Sequence, residues 1–268
     1  MNQYVIALVK TERLAADSFL HTYTCPEIAR AARAGQFVSI LPSASSDPLL
    51  RRPFSICTVD RKAGTFTVLI KVVGPGTKLL ADLVPGSRVD MLAPLGLHFD
   101  WEGVKKLLLV AGGVGVAPLL LLAQEVHEQF PDSEPGRRDT TRPEIVFCYG
   151  ARTGSQFVLL DHIEPLADHL VLTTNDGSMG IQGFCTEAAE SHFDEDISIF
   201  TCGPNPMMND LLKRMRARGL EGQCSLENQM GCTIGACLGC VVPTTKGYRR
   251  ICIDGPVLPT EILDEINW

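Results

Sequence analysis

The stretch Gly231-Cys-Thr-Ile-Gly-Ala-Cys-Leu-Gly-Cys240 holds three cysteines and three glycines in ten residues, and a fourth cysteine follows at Cys252. The spacing is C-x4-C-x2-C-x11-C. Glycines without a Cβ allow tight turns and leave backbone N–H groups free to point at sulfur. The stretch therefore predicts a loop that wraps its thiols around a small inorganic centre at the C-terminal end of the chain.

The first three cysteines have the spacing of plant-type [2Fe–2S] ferredoxins, whereas the fourth comes much sooner. The pattern predicts that a [2Fe–2S] cluster is bound by Cys232, Cys237, Cys240 and Cys252. Structural zinc and unligated buried thiols are the alternatives. Zinc sites usually offer two close cysteine pairs, and here only Cys237 and Cys240 form a C-x-x-C.

Composition limits the function classes that remain. The chain has 268 residues, 45% of them hydrophobic, and a net charge of −7. Two domains and a small third fit this length. Without a cluster of basic residues there is no electrostatic footprint for nucleic-acid binding. Ten cysteines in a chain of this length do not indicate a disulfide scaffold. The N-terminal residues predict a strand and not a signal peptide. A cytoplasmic protein with reduced thiols is therefore expected.

The apolar run Leu107–Ala123 has the composition of a membrane segment but not its pattern. It is slightly short for a span, and glycines and Pro118 interrupt its middle. We predict a buried strand, a glycine turn and a buried helix there, and no membrane segment.

Residues 1–98 are predicted to be all-β, as a barrel or a sandwich. Short β-branched or aromatic runs alternate there with turn residues at a suitable spacing. The runs are Tyr4–Val9, Gln36–Leu41, Ser55–Val59 and Thr65–Ile70. A helical turn is expected in the insertion Cys25–Gly35.

A candidate flavin motif, Arg52-Pro-Phe-Ser55, lies in this region and is followed by Gly74-Pro-Gly-Thr77. A flavin dinucleotide needs a cation for its pyrophosphate, a flat apolar wall for its ring and a hydroxyl near N5. Arg52, Phe54 and Ser55 supply these groups, and Gly76-Thr77 at a helix start offers N–H groups to the second phosphate. The alternative is a hairpin followed by an ordinary turn.

Residues 105–118 predict a buried strand, a glycine loop and then a helix over Leu119–Phe130. The glycines let a pyrophosphate approach the helix N-terminus, and Pro118 suits the first helical turn. Later strands are predicted at Glu144–Gly150, Leu170–Thr174 and Ile197–Cys202, with a helix over Asn205–Arg218. This alternation is typical of a doubly wound parallel sheet, which binds ligands at the carboxyl ends of its strands. The polar segment 131–143 is predicted to be a surface loop.

These motifs resemble those of the ferredoxin–NADP reductase superfamily in kind and in order. They are Arg52-Pro-Phe-Ser55, Gly76-Thr77, Gly113-x-Gly115-x-x-Pro118 and Cys202-Gly-Pro204. With the cysteine stretch added, the chain resembles the electron-transfer subunits of class 1B dihydroorotate dehydrogenases over essentially its full length. The most specific segments are Ser225–Cys240, Cys252–Val257 and Asn175–Gly180. Phe54 stands where the superfamily usually has Tyr, so that flavin stacking is kept and a hydroxyl contact is lost.

The resemblance implies three domains and assigns cofactors to them. These are an antiparallel FAD-binding β-barrel (1–98), a doubly wound NAD-binding α/β domain (99–218) and a small [2Fe–2S] lobe (219–268). The implied FAD-binding residues are Arg52, Pro53, Phe54, Ser55, Leu69, Ile70, Lys71, Gly76 and Thr77. The implied NAD-binding residues are Gly113, Gly115, Cys202 and Gly203. Ser55 and Cys202 are the catalytic candidates, with Cys202 beside the nicotinamide; on sequence alone Cys202 is equally a buried thiol at a strand end.

Redox chemistry orders these cofactors. A hydride carries two electrons and a cluster carries one, so a flavin must stand between the cluster and NAD+. The chain shows no residue pattern for an organic substrate, and the resemblance implies that a partner supplies that site. The partner would be an FMN-containing catalytic dihydroorotate dehydrogenase subunit of pyrimidine biosynthesis, in a heterotetramer with two copies of each chain. Ile234, Leu238 and Val241 are candidates for the interface.

Other functions stay open at this point. One is a flavin reductase subunit of another complex, such as a hydrogenase diaphorase or a ferredoxin-dependent transhydrogenase. The latter often has a carboxylate where this chain has Cys232. The others are a stand-alone NADH:acceptor reductase and a non-enzymatic zinc-binding adaptor.

Overall fold

The computed structural model describes residues 2–43, 45, 47–131 and 142–266. The chain divides into two compact units, Met1–His98 with Leu226–Val257 and Phe99–Ser225 with Leu258–Trp268. The segment predicted as a separate lobe, 219–268, is thus divided, and its cysteine-bearing part belongs to the same unit as the N-terminal strands. Most of the polar segment 131–143 lies outside the described residues.

The first unit contains a closed barrel of six strands, in the order β1-β2-β5-β4-β3-β6. The strands are β1 (Asn2–Arg13), β2 (Ser18–Thr24), β3 (Phe37–Ile40), β4 (Arg52–Asp60), β5 (Thr65–Lys71) and β6 (Arg88–Leu95). Two short helices are α1 (Pro26–Ala31), in the predicted insertion, and α2 (Pro75–Ala81), which begins just before Gly76. Every neighbouring pair is antiparallel, so the predicted antiparallel barrel is confirmed.

The sequence runs predicted four of these strands and missed β2 and β6. In β6, buried residues alternate with Arg88, Asp90, Leu92 and Pro94, so a charge and a proline interrupt the apolar residues of the strand. In β2, the barrel interior accepts polar side chains. His21 is fully buried there and its Nδ1 lies 3.0 Å from the Tyr23 hydroxyl.

The second unit is built on a parallel sheet. Its first six strands are β7 (Lys106–Gly112), β8 (Glu144–Ala151), β9 (His169–Thr174), β10 (Ile181–Gln182), β11 (Ile197–Cys202) and β12 (Gly222–Ser225). Its helices are α3 (Val116–Gln129), α4 (Leu160–Ile163), α5 (Cys185–Glu190) and α6 (Asn205–Ala217), and 3-10 turns cover Gly113–Gly115, Gly154–Gln156 and Thr260–Ile262. Helix α3 starts three residues before the predicted Leu119, because Pro118 lies within its first turn.

The apolar run that suggested a membrane segment is β7 followed by α3. Leu107–Ala111 are completely buried, as is typical of a central parallel strand covered on both faces. Within the described part of the chain, no helix has the length and the apolar character needed to cross a bilayer.

The C-terminal part adds a hairpin and a return to the sheet. The hairpin pairs β13 (Val241–Thr244) with β14 (Gly247–Arg250), and α7 (Ile251–Asp254) follows at once. Strand β15 (Val257–Pro259) completes a seven-stranded sheet in the order β10-β9-β8-β7-β11-β12-β15. The predicted combination of a barrel, a parallel α/β sheet and a C-terminal cysteine-bearing segment is confirmed.

Candidate functional site

Three of the predicted cluster ligands lie on one irregular loop before β13, and Cys252 lies on α7. The loop turns through left-handed backbone conformations at Thr233, Gly235 and Leu238, whose φ angles are 61°, 78° and 59°. Glycine suits position 235, because its φ of 78° is left-handed and a Cβ there would lie 2.0 Å from Cδ1 of Ile253. The cysteine loop therefore lies directly against the helix that carries the fourth cysteine.

Backbone N–H groups point at sulfur in this loop. The amides of Ala236 and Cys237 each donate to Cys232 Sγ at 3.3 Å, and the amide of Gly239 donates to Cys237 Sγ at 3.4 Å. Burial alone would raise the pKa of Cys232, but hydrogen bonds from the loop lower that pKa to about 7. Donors of this kind stabilise thiolate ligands and tune the centre that they bind.

The four thiols influence one another's pKa values. Beside burial and backbone hydrogen bonds, Cys237 lowers the pKa of Cys232, whereas Cys240 and Cys232 both raise the pKa of Cys252. In the described ranges, no three His, Cys, Asp or Glu side chains gather around a single point closely enough to hold one metal ion. The cysteine spacing and the amides that point at sulfur suit the thiolate ligands of a [2Fe–2S] cluster.

The remaining cysteines are buried thiols. Burial raises the pKa values of Cys57, Cys148, Cys185 and Cys224 to about 12 in each case. Cys224 lies on β12 in the sheet unit, although it is only eight positions before Cys232 in the sequence. It therefore serves as a matched non-ligand cysteine.

The predicted flavin residues lie on adjacent strands of the barrel. Arg52–Ser55 begin β4, and Leu69–Lys71 end β5, which pairs with β4. The guanidinium of Arg52 lies against Gly76 at the start of α2. The contact is so close that a Cβ added to Gly76 would be 2.9 Å from Arg52 Nε. The barrel thus brings together the cation and the glycine turn that the sequence assigned to the two phosphates.

Arg52 and its neighbour Arg51 have different surroundings. Arg51 forms an ion pair with Asp90 at 2.9 Å and donates to two backbone carbonyls. The described hydrogen bonds of Arg52 both come from Nη1, to the carbonyls of Leu50 and Arg51, so that Nε and Nη2 face Gly76. Arg52 is thus the arginine that directs donors at the glycine turn.

The other predicted flavin residues are placed more simply. Pro53, Phe54 and Ser55 are half-buried, Leu69 and Ile70 are buried, and Lys71 lies 3.7 Å from Asp17. The hydroxyl of Thr77 is used inside the turn, where it accepts from the amides of Val73 and Gly74 and donates to the Gly74 carbonyl. The Thr77 hydroxyl therefore shapes the glycine turn. Only the backbone N–H of Thr77 would then be available to a ligand phosphate.

In the sheet unit, the predicted nucleotide residues meet at the carboxyl ends of β7 and β11. These strands are paired with Ala111 opposite Cys202. A Cβ on Gly115 would lie 2.2 Å from the Cys202 carbonyl oxygen, so the glycine loop is packed directly against the end of β11. Gly113 has a φ of 55°, and Cys202 is only 1% exposed. The loop presents backbone at this edge, whereas the Cys202 thiol is buried.

Sequence patterns missed two residues of the cysteine loop's surroundings. The hydroxyls of Thr233 and Ser39 are 2.9 Å apart and buried, although 194 positions separate them in the sequence. Neither residue belongs to a motif, and a side-chain contact over this sequence separation has no local signal. The position of Thr233 in the sequence hints only weakly at this contact. A β-branched residue is unusual in a tight glycine-rich loop, so its presence suggests that its side chain has a partner.

Family profiles match two segments of the chain. Residues 227–264 match the iron-sulfur cluster binding domain of dihydroorotate dehydrogenase B, and residues 109–213 match the oxidoreductase NAD-binding domain. Curated relatives carry the name dihydroorotate dehydrogenase B (NAD(+)), electron transfer subunit. The relative from Desulforamulus reducens is 34% identical over 92% of each chain. That from Bacillus caldolyticus is 36% identical over 93% of this chain and 94% of the relative.

Solved structures with the same fold include two reductases. The chain is 29% identical to an NADH-dependent reduced ferredoxin-NADP oxidoreductase studied for flavin-based electron bifurcation. That comparison has a TM-score of 0.84 and covers 98% of this chain and 90% of the other. The cytochrome b5 reductase domain of Ulva prolifera nitrate reductase has a TM-score of 0.66 at 19% identity, covering 86% and 96%. The second likeness concerns the fold alone.

Proposed function

This chain belongs to the family of electron-transfer subunits of dihydroorotate dehydrogenase B (NAD(+)), and on that premise we propose its electron route. Electrons from a catalytic partner's FMN enter a [2Fe–2S] cluster at Cys232, Cys237, Cys240 and Cys252. They continue to FAD on the barrel and then to NAD+ on the sheet unit. Family membership favours this route over a diaphorase, a transhydrogenase subunit or a stand-alone reductase.

One observation carries the proposal. The cysteine loop and the proposed flavin strand β4 belong to a single compact unit, although they lie at opposite ends of the sequence. A cluster must lie near a flavin to exchange electrons with it. A fold that places both sites in one unit supports direct passage between them.

The residues of this chain bind and orient, and the cofactors supply the redox chemistry. FAD, when bound, would supply the exchange between one-electron and two-electron transfer that joins a cluster to NAD+. Arg52 and the turn at Gly76 would hold its two phosphates, and Phe54 and Ser55 would face its ring. The loop amides would stabilise the cluster thiolates, and Gly113 and Gly115 would let the nucleotide pyrophosphate approach α3.

NAD+ is the proposed acceptor, because the curated relatives are named for NAD(+). The loops after β8 and β9 carry charges of both signs: the Asp176 amide donates to the carbonyl of Arg152 at 3.3 Å. Hydrogen bonds from Ser178 lower the pKa of Asp176, so its carboxylate can accept from hydroxyl groups of a nucleotide.

The partner is proposed to cover the surface around the cysteine loop. Four large apolar side chains are exposed there: Ile234, Leu238, Tyr248 and Ile253. Leu238, 61% exposed, lies between two of the proposed cluster ligands. The proposed partner is an FMN-containing subunit that oxidises dihydroorotate to orotate, in a permanent cytoplasmic complex of two copies of each chain. Permanent interfaces are large and apolar, which suits this patch.

Leu238→Glu is expected to weaken binding of the catalytic partner. A charge placed in the buried centre of an interface costs about 2 kcal/mol or more, as at binding hot spots, so the dissociation constant should rise by at least about thirtyfold. Titration of one purified subunit with the other measures this. The matched control is Val84→Glu, because Val84 is 65% exposed on the same unit but follows α2 and is not part of the patch. Equal affinities for both variants would exclude the patch as the interface.

The cofactor assignment is tested by purifying the chain without oxygen and measuring its metals and spectrum. A red-brown protein with about two irons and two sulfides per chain, together with bound FAD, is expected for a [2Fe–2S] flavoprotein. Stoichiometric zinc in a colourless protein would instead identify a zinc-binding adaptor.

A further inference from the structure

The cysteine loop touches the barrel through a buried pair of hydroxyls. Thr233 follows the first proposed ligand, and its Oγ1 lies 2.9 Å from Oγ of Ser39 and 2.6 Å from the Cys232 carbonyl oxygen. The Thr233 hydroxyl is the donor in both contacts, so its proton is shared between the Ser39 hydroxyl and the Cys232 carbonyl, which can only accept. Thr233 is 1% exposed and Ser39 is fully buried. Two polar groups removed from water thus depend on each other.

The backbone at Thr233 is held in an unfavourable conformation. Its φ of 61° lies in the left-handed region, which a β-branched residue rarely adopts. Strain of this kind persists only where surrounding contacts fix it, and it concentrates at functional sites. A glycine would remove the strain, so the threonine side chain must contribute something that the loop conformation alone does not require.

Ser39 connects this contact to the proposed flavin strand. It lies on β3, directly opposite Pro53 of β4, and its carbonyl accepts from Arg51 Nη1 at 3.3 Å. Pro53 is between Arg52 and Phe54, the residues proposed to hold the FAD phosphate and ring. The chain of contacts Cys232–Thr233–Ser39–Pro53 therefore runs from the cluster ligands to the flavin site in three steps.

Other attachments between the C-terminal segment and the barrel lie away from the loop. The amide of Leu97 donates to the carbonyl of Gly255 at 2.6 Å, beyond α7. Across the described residues, the Thr233–Ser39 pair is the side-chain hydrogen bond that links residues 229–240 to the barrel strands. Without it, the segment stays attached but its cysteine loop loses this anchor.

We propose that Thr233 and Ser39 are positioning residues that fix the cluster loop against the flavin strand and thereby set the separation of the cluster and FAD. Electron transfer between two centres slows steeply as they move apart, so a small displacement of the loop changes the rate while both cofactors remain bound. This inference rests on the proposed function, because it takes the cysteine loop and β4 as the cofactor sites.

The test compares three substitutions at one position in the purified subunit with its cofactors. Thr233→Val keeps the shape and removes the hydroxyl, Thr233→Ser keeps the hydroxyl, and Thr233→Gly removes the hydroxyl together with the strain. The control is Thr58→Val, because the half-buried Thr58 and Thr67 hydroxyls form a similar pair, 2.6 Å apart, between β4 and β5. Iron and FAD content, amide hydrogen exchange of residues 229–240, and the rate at which the cluster is reduced after NADH reduces FAD are measured.

The valine and glycine variants should keep their iron and FAD. Exchange in residues 229–240 should be about tenfold faster, as expected for the loss of one buried hydrogen bond. Reduction of the cluster should slow, and the electron paramagnetic resonance spectrum of the reduced cluster should change. Thr233→Ser should restore the wild-type values, and Ser39→Ala should reproduce the loss.

Wild-type exchange and cluster reduction in Thr233→Gly would overturn the proposal, since the hydroxyl would then be dispensable. Equal effects in Thr58→Val would also overturn it, because any barrel hydroxyl pair would serve. A wild-type protein without iron or FAD would instead refute the proposed function, so the two failures are distinguishable.

Discussion

Cys237→Ser protein is expected to lose most of its iron and its visible absorption above the flavin bands, while Cys224→Ser protein keeps both. Cys237 lies on the loop, its amide donates to Cys232 Sγ, and its own sulfur accepts from the Gly239 amide. A serine hydroxyl is a far weaker ligand than a thiolate, so one of the two irons would lose half of its protein ligands. Cys224 is buried on β12, and its loss removes no ligand.

Iron and sulfide analysis of the two variants, purified side by side without oxygen, measures this difference. The wild type and Cys224→Ser should contain about two irons per chain, and Cys237→Ser well under one. Equal iron in both variants would remove Cys237 from the ligand set. Folding is checked by FAD content, which should be the same in all three proteins because the flavin residues lie on the barrel.

Arg52→Ala protein is expected to be depleted of FAD and to bind added FAD about ten- to a hundredfold more weakly. Hydrogen bonds to charged groups contribute about 1.5–3 kcal/mol each, and Arg52 has donors directed at the turn where a phosphate would lie. Arg88→Ala is the control for charge, since Arg88 is exposed on β6 and donates to the Val5 carbonyl. Flavin fluorescence titration of the apoproteins gives the affinities, and unchanged FAD binding by Arg52→Ala would refute the assignment.

The glycine turn offers an independent test of the same site. Gly76→Ala places a methyl group 2.9 Å from Arg52 Nε and should displace the guanidinium, thereby weakening FAD binding. Gly74→Ala is matched, because Gly74 has an extended backbone and no atom within 4 Å of its added Cβ. Equal FAD affinity in the two alanine variants would mean that Arg52 can move away without consequence.

The sequence predicted the parts of the site that depend on local chemistry. Cysteine spacing, the Arg-Pro-Phe-Ser strand and the glycine loops each require particular residues at short range, and so each leaves a motif. The carboxyl ends of β7 and β11 were also predictable, because parallel strands present their loops at one edge.

What the sequence did not predict depends on long-range packing. Strand β2 holds the buried His21, and β6 contains Asp90 and Pro94, so a polar residue or a proline interrupts the strand pattern in each. The association of Leu226–Val257 with the barrel and not with the sheet follows from contacts such as Thr233 with Ser39. A hydrogen bond between distant residues leaves no pattern in a single sequence.

The most direct test of the electron route is the coupling of dihydroorotate oxidation to NAD+ reduction in the reconstituted complex. Dihydroorotate gives orotate with two electrons and two protons, and NAD+ takes both electrons and one proton, so NADH should appear at one equivalent per orotate. Alone, the chain should oxidise NADH with artificial acceptors and leave dihydroorotate unchanged; with the FMN-containing partner it should couple the two reactions, and Cys240→Ser should abolish the coupling. Dihydroorotate oxidation by the isolated chain, or full coupling in a cluster-free variant, would contradict the account.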